Sequence, residues 1–452
     1  MSVLSSDLTC SSSNNYDKIR SLFDEGSFVE IGKYVGGNDC AGVICGYGAV
    51  NGALTFAFSQ NFSRNDGAFG ENESGKICSL YDMAEKSGAP IVGIFSSAGV
   101  DISQGEKAMS AFGKFLSRIS KLSGIVPQIA VIDGVCAGMM AVAASMFDII
   151  IASEKSSIYT TPASALRFSG DNKAGTPMKA LENGGIDIIC PDPVAKAAEL
   201  LYTLPQNNSQ GLSYFTAADS LDRVTSDLDS IDSMRDVITE LSDCGKFEEL
   251  KKDCAPEVIT GLSSIGYIST GIIATQRGAV ISAKGARKIA SFISFCDNFM
   301  IPVLTLIDAV AFENDIDPAI VARLSSVYAS SSNAKVTVYL GKAYGSVFTV
   351  LGSGSLGADV TIASEKAEIS VMTPDAAVEF LYGDEIDSPV KRSELKSQWI
   401  ADRATPLSMA SIGEIDSVIP SCEIRKYIIS AFNMLSAKAD GKVNRKHSKL
   451  PF

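Results

Sequence analysis

Three glycine-bearing turns are the places in this chain where chemistry could be done. They read GVCAG at 134–138, GKAYG at 341–345 and SSAGVDISQG at 96–105. A glycine between a strand and a helix lets the backbone come close to a ligand and aims unpaired N–H groups outward from the helix start. Donors of that kind stabilise an oxyanion without an acidic or basic side chain. Side-chain catalysts and metal ligands are poorly supplied. The one histidine, His447, lies near the C-terminus, which argues against a histidine-based triad or a multi-histidine metal site. The ten cysteines are scattered in apolar surroundings without a C-x-x-C pair, and read as buried reduced thiols. None of the turns carries the Lys-Ser/Thr of a P-loop or the spacing of a dinucleotide fingerprint. Each turn alone is a weak signal, because such glycines commonly serve packing.

The elements that position the turns are written twice. Residues 127–153 read as a strand, a tight turn containing Gly134 and Gly138, a short buried helix, and a second strand entered at Asp148. The pattern returns at 334–372, where Gly341 and Gly345 repeat the spacing and IASEK at 151–155 recurs unchanged at 362–366. Further upstream, Ile19, Leu22, Asp24, Gly26, Phe28 and Glu30 match Ile238, Leu241, Asp243, Gly245, Phe247 and Glu249 at one offset, 219. The offset falls to 212 at Pro90 and Pro302 and to 207 at Gly138 and Gly345, as a tandem duplication with small loop deletions would leave it. Each half reads as strand, strand, helix, strand, glycine turn, helix, strand. Strands that alternate with helices and are apolar throughout belong to a sheet covered on both faces. The fold class is therefore α/β with two duplicated domains. The expected boundaries are a flexible N-terminus over 1–15, one domain over 16–225 and another over 226–452. The acidic stretch 205–233 reads as a solvated connector.

Composition narrows the function. The chain has 452 residues, 46% of them hydrophobic, and a net charge of −13, which disfavours nucleic acid or an anionic membrane as the main partner. No apolar run is long enough to span a bilayer, and the start lacks the pattern of a signal peptide, so a cytoplasmic location is expected.

Taken together, the segments RSLFDEGSFVEI, SGKICSLYDMAEKSGAPIVGI, PQIAVIDGVCAG, ASFISFCDNFMIPVLTLID, KAYGSVFTV, LGADV and the terminal KHSKLPF are specific. From about Tyr16 to the C-terminus the chain resembles the carboxyltransferase subunits of biotin-dependent acyl-CoA carboxylases and decarboxylases. The resemblance implies two crotonase-like domains, which agrees with the duplication. It implies transfer of a carboxyl group between biotin, carried by a separate protein, and the α-carbon of an acyl-CoA, in a site shared by the N-domain and C-domain of two subunits. Carried over by position, the oxyanion holes fall on Gly138 and Met139 and on Ser346 and Val347. Ala98, Gly99 and Val100 would lie near the acyl-CoA, with Gly345 and Thr349 in the second half-site. The implied partners are copies of the chain in a hexamer, a biotin carboxyl carrier protein, and either a biotin carboxylase or the membrane subunit of a decarboxylase. No metal is expected.

The chain departs from the family at its turns. DSGGARIQEG reads SSAGVDISQG, CAGGA reads CAGMM, AYGGAYD reads AYGSVFT, and a proline-glycine-phenylalanine turn reads AVAF at 309–312. The segment after the first IASEK is also altered, over 160–178. Enlarged glycine positions matter most where the backbone needs a positive φ. Three readings stay open at this point. The first is an active carboxyltransferase. The second is a divergent subunit, weakly active or inactive, that binds acyl-CoA or supports an assembly. The third is another crotonase-type reaction, hydration or thioester hydrolysis, with Asp101 or Asp133 as a base.

Overall fold

The fold is that of a computed structural model, described for residues 13–37, 41–161, 174–208, 219–383, 386 and 388–438. His447, KHSKLPF and much of the altered segment after the first IASEK lie outside the described residues. The chain divides into two compact units, Met1–Gln210 and Gly211–Phe452.

The first unit begins with α1 (Ser13–Arg20), three residues earlier than expected, and Asn15 is buried where it accepts a hydrogen bond from Ser59 Oγ at 2.7 Å. Then follow β1 (Val29–Ile31), β2 (Val43–Val50), β3 (Ala53–Gln60), α2 (Glu71–Ser87), β4 (Ile91–Ser97) and α3 (Glu106–Leu122). The unit continues through β5 (Gln128–Ala137), α4 (Met139–Ala144), β6 (Ile149–Ala152), β7 (Ser157–Tyr159), α5 (Pro177–Glu182), β8 (Ile188–Ile189) and α6 (Pro193–Thr203). The sheet runs β1-β2-β3-β4-β5-β6-β8, with β7 beside β5; it is antiparallel through β3 and parallel from there. β4 is buried along nearly its whole length, as a strand covered on both faces must be. Phe58 packs edge-on against Phe95 and Phe115 at 5.4 and 5.9 Å between ring centroids, tying β3, β4 and α3.

The second unit repeats this plan. It comprises α7 (Met234–Leu241), β9 (Phe247–Leu250), β10 (Val258–Ile265), β11 (Ile268–Thr275), β12 (Ala279–Ile281), α8 (Ala283–Asn298), β13 (Val303–Phe312) and α9 (Pro318–Ser330). After them come β14 (Lys335–Tyr344), α10 (Ser346–Val350), β15 (Val360–Ser364), β16 (Glu368–Ser370), α11 (Pro374–Tyr382), α12 (Pro389–Arg403), α13 (Pro406–Ala410), β17 (Ser417–Ile419) and α14 (Ile424–Met434). The sheet order is β9-β10-β11-β13-β14-β15-β17, with β16 beside β14 and the extra β12 beside β13.

Buried polar groups repeat with the strands. Lys76 on α2 sends its ammonium to the Val43 carbonyl at 2.8 Å, and Lys288 on α8 reaches the Val258 carbonyl at 2.7 Å. Burial of Lys288 lowers its pKa to about 8, and the carbonyls of Lys251 and Cys254 take its remaining donors. Asp148 accepts the Gln128 N–H at 2.8 Å, as Asp359 accepts that of Lys335.

Two expectations change. Gly134 and Gly341 are not in turns but inside β5 and β14, where a neighbouring side chain occupies the space of a Cβ. A Cβ on Gly134 would meet Ser96 Oγ at 2.6 Å, and one on Gly341 would meet the Asp308 carboxylate at 2.2 Å. Residues 219–225, expected in the first domain, are tied instead to the second unit. Arg425, 1% exposed, donates to the carbonyls of Ser220 and Leu221 and pairs with Asp243 at 2.6 Å and Asp219 at 3.6 Å. Thr225 adds a hydrogen bond to the Cys422 carbonyl, so this end of the acidic stretch is not a free connector.

The buried charges can be tested directly. Arg425→Leu leaves Asp243 buried without its cation and should cost about 3–5 kcal/mol in urea unfolding; a loss below about 1 kcal/mol would contradict the assigned role. Burial, with help from the charge of Asp187, raises the Asp148 carboxyl to about 7 against the Gln128 hydrogen bond that lowers it. The folded state then holds this proton more tightly than the unfolded chain. Its contribution to stability should be complete below about pH 4 and lost as pH rises through 7. Asp148→Asn should flatten the stability profile between those limits.

Candidate functional site

The two matching turns share one backbone conformation. Gly138, between β5 and α4, has φ 59° and ψ −131°; Gly345, between β14 and α10, has φ 50° and ψ −116°. L-residues rarely enter this region, so the glycines are needed for the bend itself. The bend lets Gly138 N–H donate to the Tyr159 carbonyl of β7 and Gly345 N–H to the Ser370 carbonyl of β16, each at 2.9 Å. The next amides along, Met139 and Met140 in one unit and Ser346 and Val347 in the other, open short helices and have no intrahelical acceptor. In the expected pair Gly138 and Met139, then, the glycine sets the geometry and its own N–H is already used; the expected pair Ser346 and Val347 follows Gly345, whose N–H is used in the same way. The outward donors are Met139 and Ser346 N–H, with Met140 and Val347 one step behind.

None of the enlarged positions strains the backbone. Ala98, Val100, Met139, Met140, Ser346 and Val347 all have ordinary negative φ. The positive-φ glycines of these segments, Gly99, Gly105, Gly134, Gly138 and Gly345, are present. The substitutions change what side chain stands beside the donors, not whether the donors exist.

The third turn is built against the first. A Cβ on Gly99, φ 117°, would lie 3.3 Å from the Ala137 carbonyl, which seats this turn on the last residue of β5. Ala98 N–H goes to the Asp66 carbonyl, Gly99 N–H to Ser97 Oγ at 3.1 Å, and the Gly99 carbonyl accepts Phe69 N–H. Among the described residues no acceptor takes Val100 N–H. Val100 and Met139, 41% and 43% exposed, present apolar side chains beside these donors, with Ala98 also exposed.

Among the described residues the second unit has no equivalent turn. Residues 309–312 continue β13, pairing with β12 through Ala279–Ala309, Val280–Ala311 and Ile281–Phe312. Asp308 anchors this end by accepting N–H bonds from Gly278 and Lys342 at 3.0 and 3.1 Å, with Arg277 at 3.3 Å. Near Gly345, burial and the Glu368 carboxylate, which accepts the phenol proton at 2.7 Å, push the Tyr344 hydroxyl up. Thr349 is exposed, and its hydroxyl donates back to the Gly345 carbonyl at 3.2 Å.

The two acids considered as bases are otherwise engaged. Asp101 accepts Ser103 Oγ and N–H and the Gln104 amide, and the Ser103 hydroxyl in particular holds its carboxyl below the usual range. Asp133 pairs with Lys18 at 2.7 Å. Among the described residues no group of histidines, cysteines or acids is placed to hold a metal, and no helix is long and apolar enough to cross a membrane.

The sequence reading missed β7 and β16, whose carbonyls fix the glycine N–H groups. The signal was present: each strand directly follows a copy of IASEK.

A Cβ on Gly138 would meet nothing within 4 Å, so Gly138→Ala tests conformation alone. It should cost about 1–3 kcal/mol of stability, whereas Met139→Gly should cost under about 1 kcal/mol. Equal effects in thermal unfolding would remove the special status of Gly138.

Residues 14–450 match the carboxyl transferase domain family. The chain is 32% identical to the methylmalonyl-CoA decarboxylase subunit alpha of Propionigenium modestum, across 96% of this chain and 92% of that one. It is 31% identical to the propionyl-CoA carboxylase beta chain of Saccharopolyspora erythraea, across 96% and 90%. Its fold matches the transcarboxylase 12S structure solved with methylmalonyl-CoA and methylmalonic acid bound, with a TM-score of 0.91 at 28% identity over 97% of this chain and 92% of that one. The two α/β units are thus crotonase-like domains, and the chain belongs to the carboxyl transferase domain family.

Proposed function

We propose that this chain moves a carboxyl group between biotin on a separate carrier protein and the α-carbon of an acyl-CoA, by way of the thioester enolate. The observation that carries the reading is the retained bend at Gly138 and Gly345, which presents Met139 and Ser346 N–H without strain. Removing the α-proton of a thioester puts negative charge on its carbonyl oxygen, and fixed amides lower that barrier without reorganising. Met139 N–H, with Val100 N–H from the adjoining turn, would hold the thioester oxygen in the first unit. Ser346 and Val347 N–H would hold the oxygen of the biotin urea, whose carboxylated form supplies the activated carboxyl group. Gly138, Gly345 and Gly99 act here by placing the donors. The α-proton would pass to the biotin nitrogen that gives up the carboxyl group, so no histidine or free carboxylate is required, which suits a chain whose Asp101 and Asp133 are bound up in local contacts.

The substrate class follows the relatives, whose names specify propionyl-CoA and methylmalonyl-CoA. Met139 and Val100 stand where smaller residues are usual in the family, so the acyl side of the site should be narrower. A hexameric assembly is proposed from the transcarboxylase 12S hexamer. The carrier protein, and a biotin carboxylase or a decarboxylase membrane subunit, complete the set of partners. The chain would work in the cytoplasm, where CoA thioesters are held.

Transfer of labelled carboxyl from carboxybiotin to acetyl-, propionyl- and longer acyl-CoAs tests the reading. Labelled malonyl- or methylmalonyl-CoA is the expected product. Acyl-CoA binding without transfer, in folded and assembled protein, would leave a divergent binding subunit as the better account. Gly345→Ala pushes a Cβ to 2.9 Å from the Val371 carbonyl. It should lower kcat by about 10²-fold or more, while Ser346→Gly, which keeps the N–H, should stay within a few-fold of wild type.

A further inference from the structure

The groove between α8 and α9 on the second unit has no part in the proposed reaction. It encloses about 370 Å³ and is lined by Arg287, Ala290, Ser291 and Ser294 from α8 and by Ile320 and Arg323 from α9. Both arginines are exposed, and among the described residues neither meets a carboxylate or any other hydrogen-bond acceptor. The acids that open this region are used elsewhere: Glu313 accepts Ala283 N–H at 3.2 Å, and Asp317 caps α9 through Ala319 N–H at 2.9 Å. Ser294 returns its hydroxyl proton to the Ala290 carbonyl and brings no charge.

The duplication supplies a comparison. In the first unit the corresponding helix pair, α2 and α3, is bridged by Arg118 and Asp82 at 2.8 Å, with Lys107 and Glu71 at 3.7 Å beyond. Asp82 corresponds to Ser294 at the offset of 212 that also relates Lys76 to Lys288. Gly75 corresponds to Arg287 at the same offset. One copy of the helix pair is internally neutralised. The other has lost the acid, gained an arginine and holds an open volume between two positive groups. In a chain of net charge −13, two arginines facing one cavity with no acid between them mark an anion site.

We propose that this groove binds a phosphate-bearing small molecule, with the guanidinium groups of Arg287 and Arg323 on its phosphate oxygens and Ala290 and Ile320 beneath. The planar fork of arginine suits phosphate oxygens in pairs, and the volume lies within the range of small-ligand pockets. The inference is independent of the reaction proposed above. The shared chemistry is a phosphate group, and it could come from a free phosphate or diphosphate compound or from the nucleotide end of a CoA.

Isothermal titration of the assembled protein with inorganic pyrophosphate is the test, repeated with CoA and dephospho-CoA. Saturable binding at one site per chain is expected, weakening with added salt and falling about tenfold or more in each of Arg287→Ala and Arg323→Ala. Lys at both positions should recover part of the affinity. Competition by CoA, reduced for dephospho-CoA, would assign the phosphate to CoA; its absence would assign a free phosphate compound. No saturable binding at millimolar pyrophosphate, or binding unchanged in the folded Arg287→Ala/Arg323→Ala double variant, would overturn the proposal.

Discussion

A hydrogen bond from a glycine amide to a parallel edge segment organises both halves of this protein. Gly138 gives its N–H to Tyr159 and Gly345 gives its N–H to Ser370, each from a left-handed backbone. That single bond ends the strand, starts the helix and sets the direction of the next amide. Everything proposed for the site depends on it. The side chain at the following position is free to vary, because a residue at the first turn of a helix needs only ordinary dihedrals. Methionine and serine can therefore replace glycine there without loss of the N–H. The local sequence looks more damaged than the local backbone.

The two units share a frame and differ in how they finish it. Both anchor the central helix through a buried lysine, Lys76 or Lys288, on a strand carbonyl. Both use a side chain of the preceding parallel strand to exclude a Cβ from the next, Ser96 over Gly134 and Asp308 over Gly341. The serine leaves the first unit with a turn that carries Gly99 and Val100 to the end of β5. The aspartate gathers Gly278, Lys342 and Arg277, and the second unit runs on as strand. One half therefore presents donors from two turns and the other from one, an asymmetry suited to two different oxygens.

Much of the fold was legible in the sequence, because duplication leaves side chains in register: the six matched residues from Ile19 to Glu30, and IASEK twice, located both halves. Gly138 and Gly345 were legible as a matched pair of glycines between strand and helix for the same reason. Their exact job was not, since a sequence does not say which carbonyl an amide faces, and β7 and β16 are three residues each. Gly134 and Gly341 looked like turn residues because a glycine that avoids a side chain and one that bends the chain are written alike. The burial of Arg425 against Asp219 and Asp243 joins residues some two hundred positions apart, and no local pattern announces it.

The central claim is that a backbone N–H, not a side chain, holds the developing charge in the first unit. Replacing the Met139 amide by an ester, with the methionine side chain kept, removes that one hydrogen and little else. Carboxyl transfer to propionyl-CoA should then fall by about 10²–10³ in kcat, with folding and assembly unchanged. A variant that transfers at the wild-type rate would contradict the account.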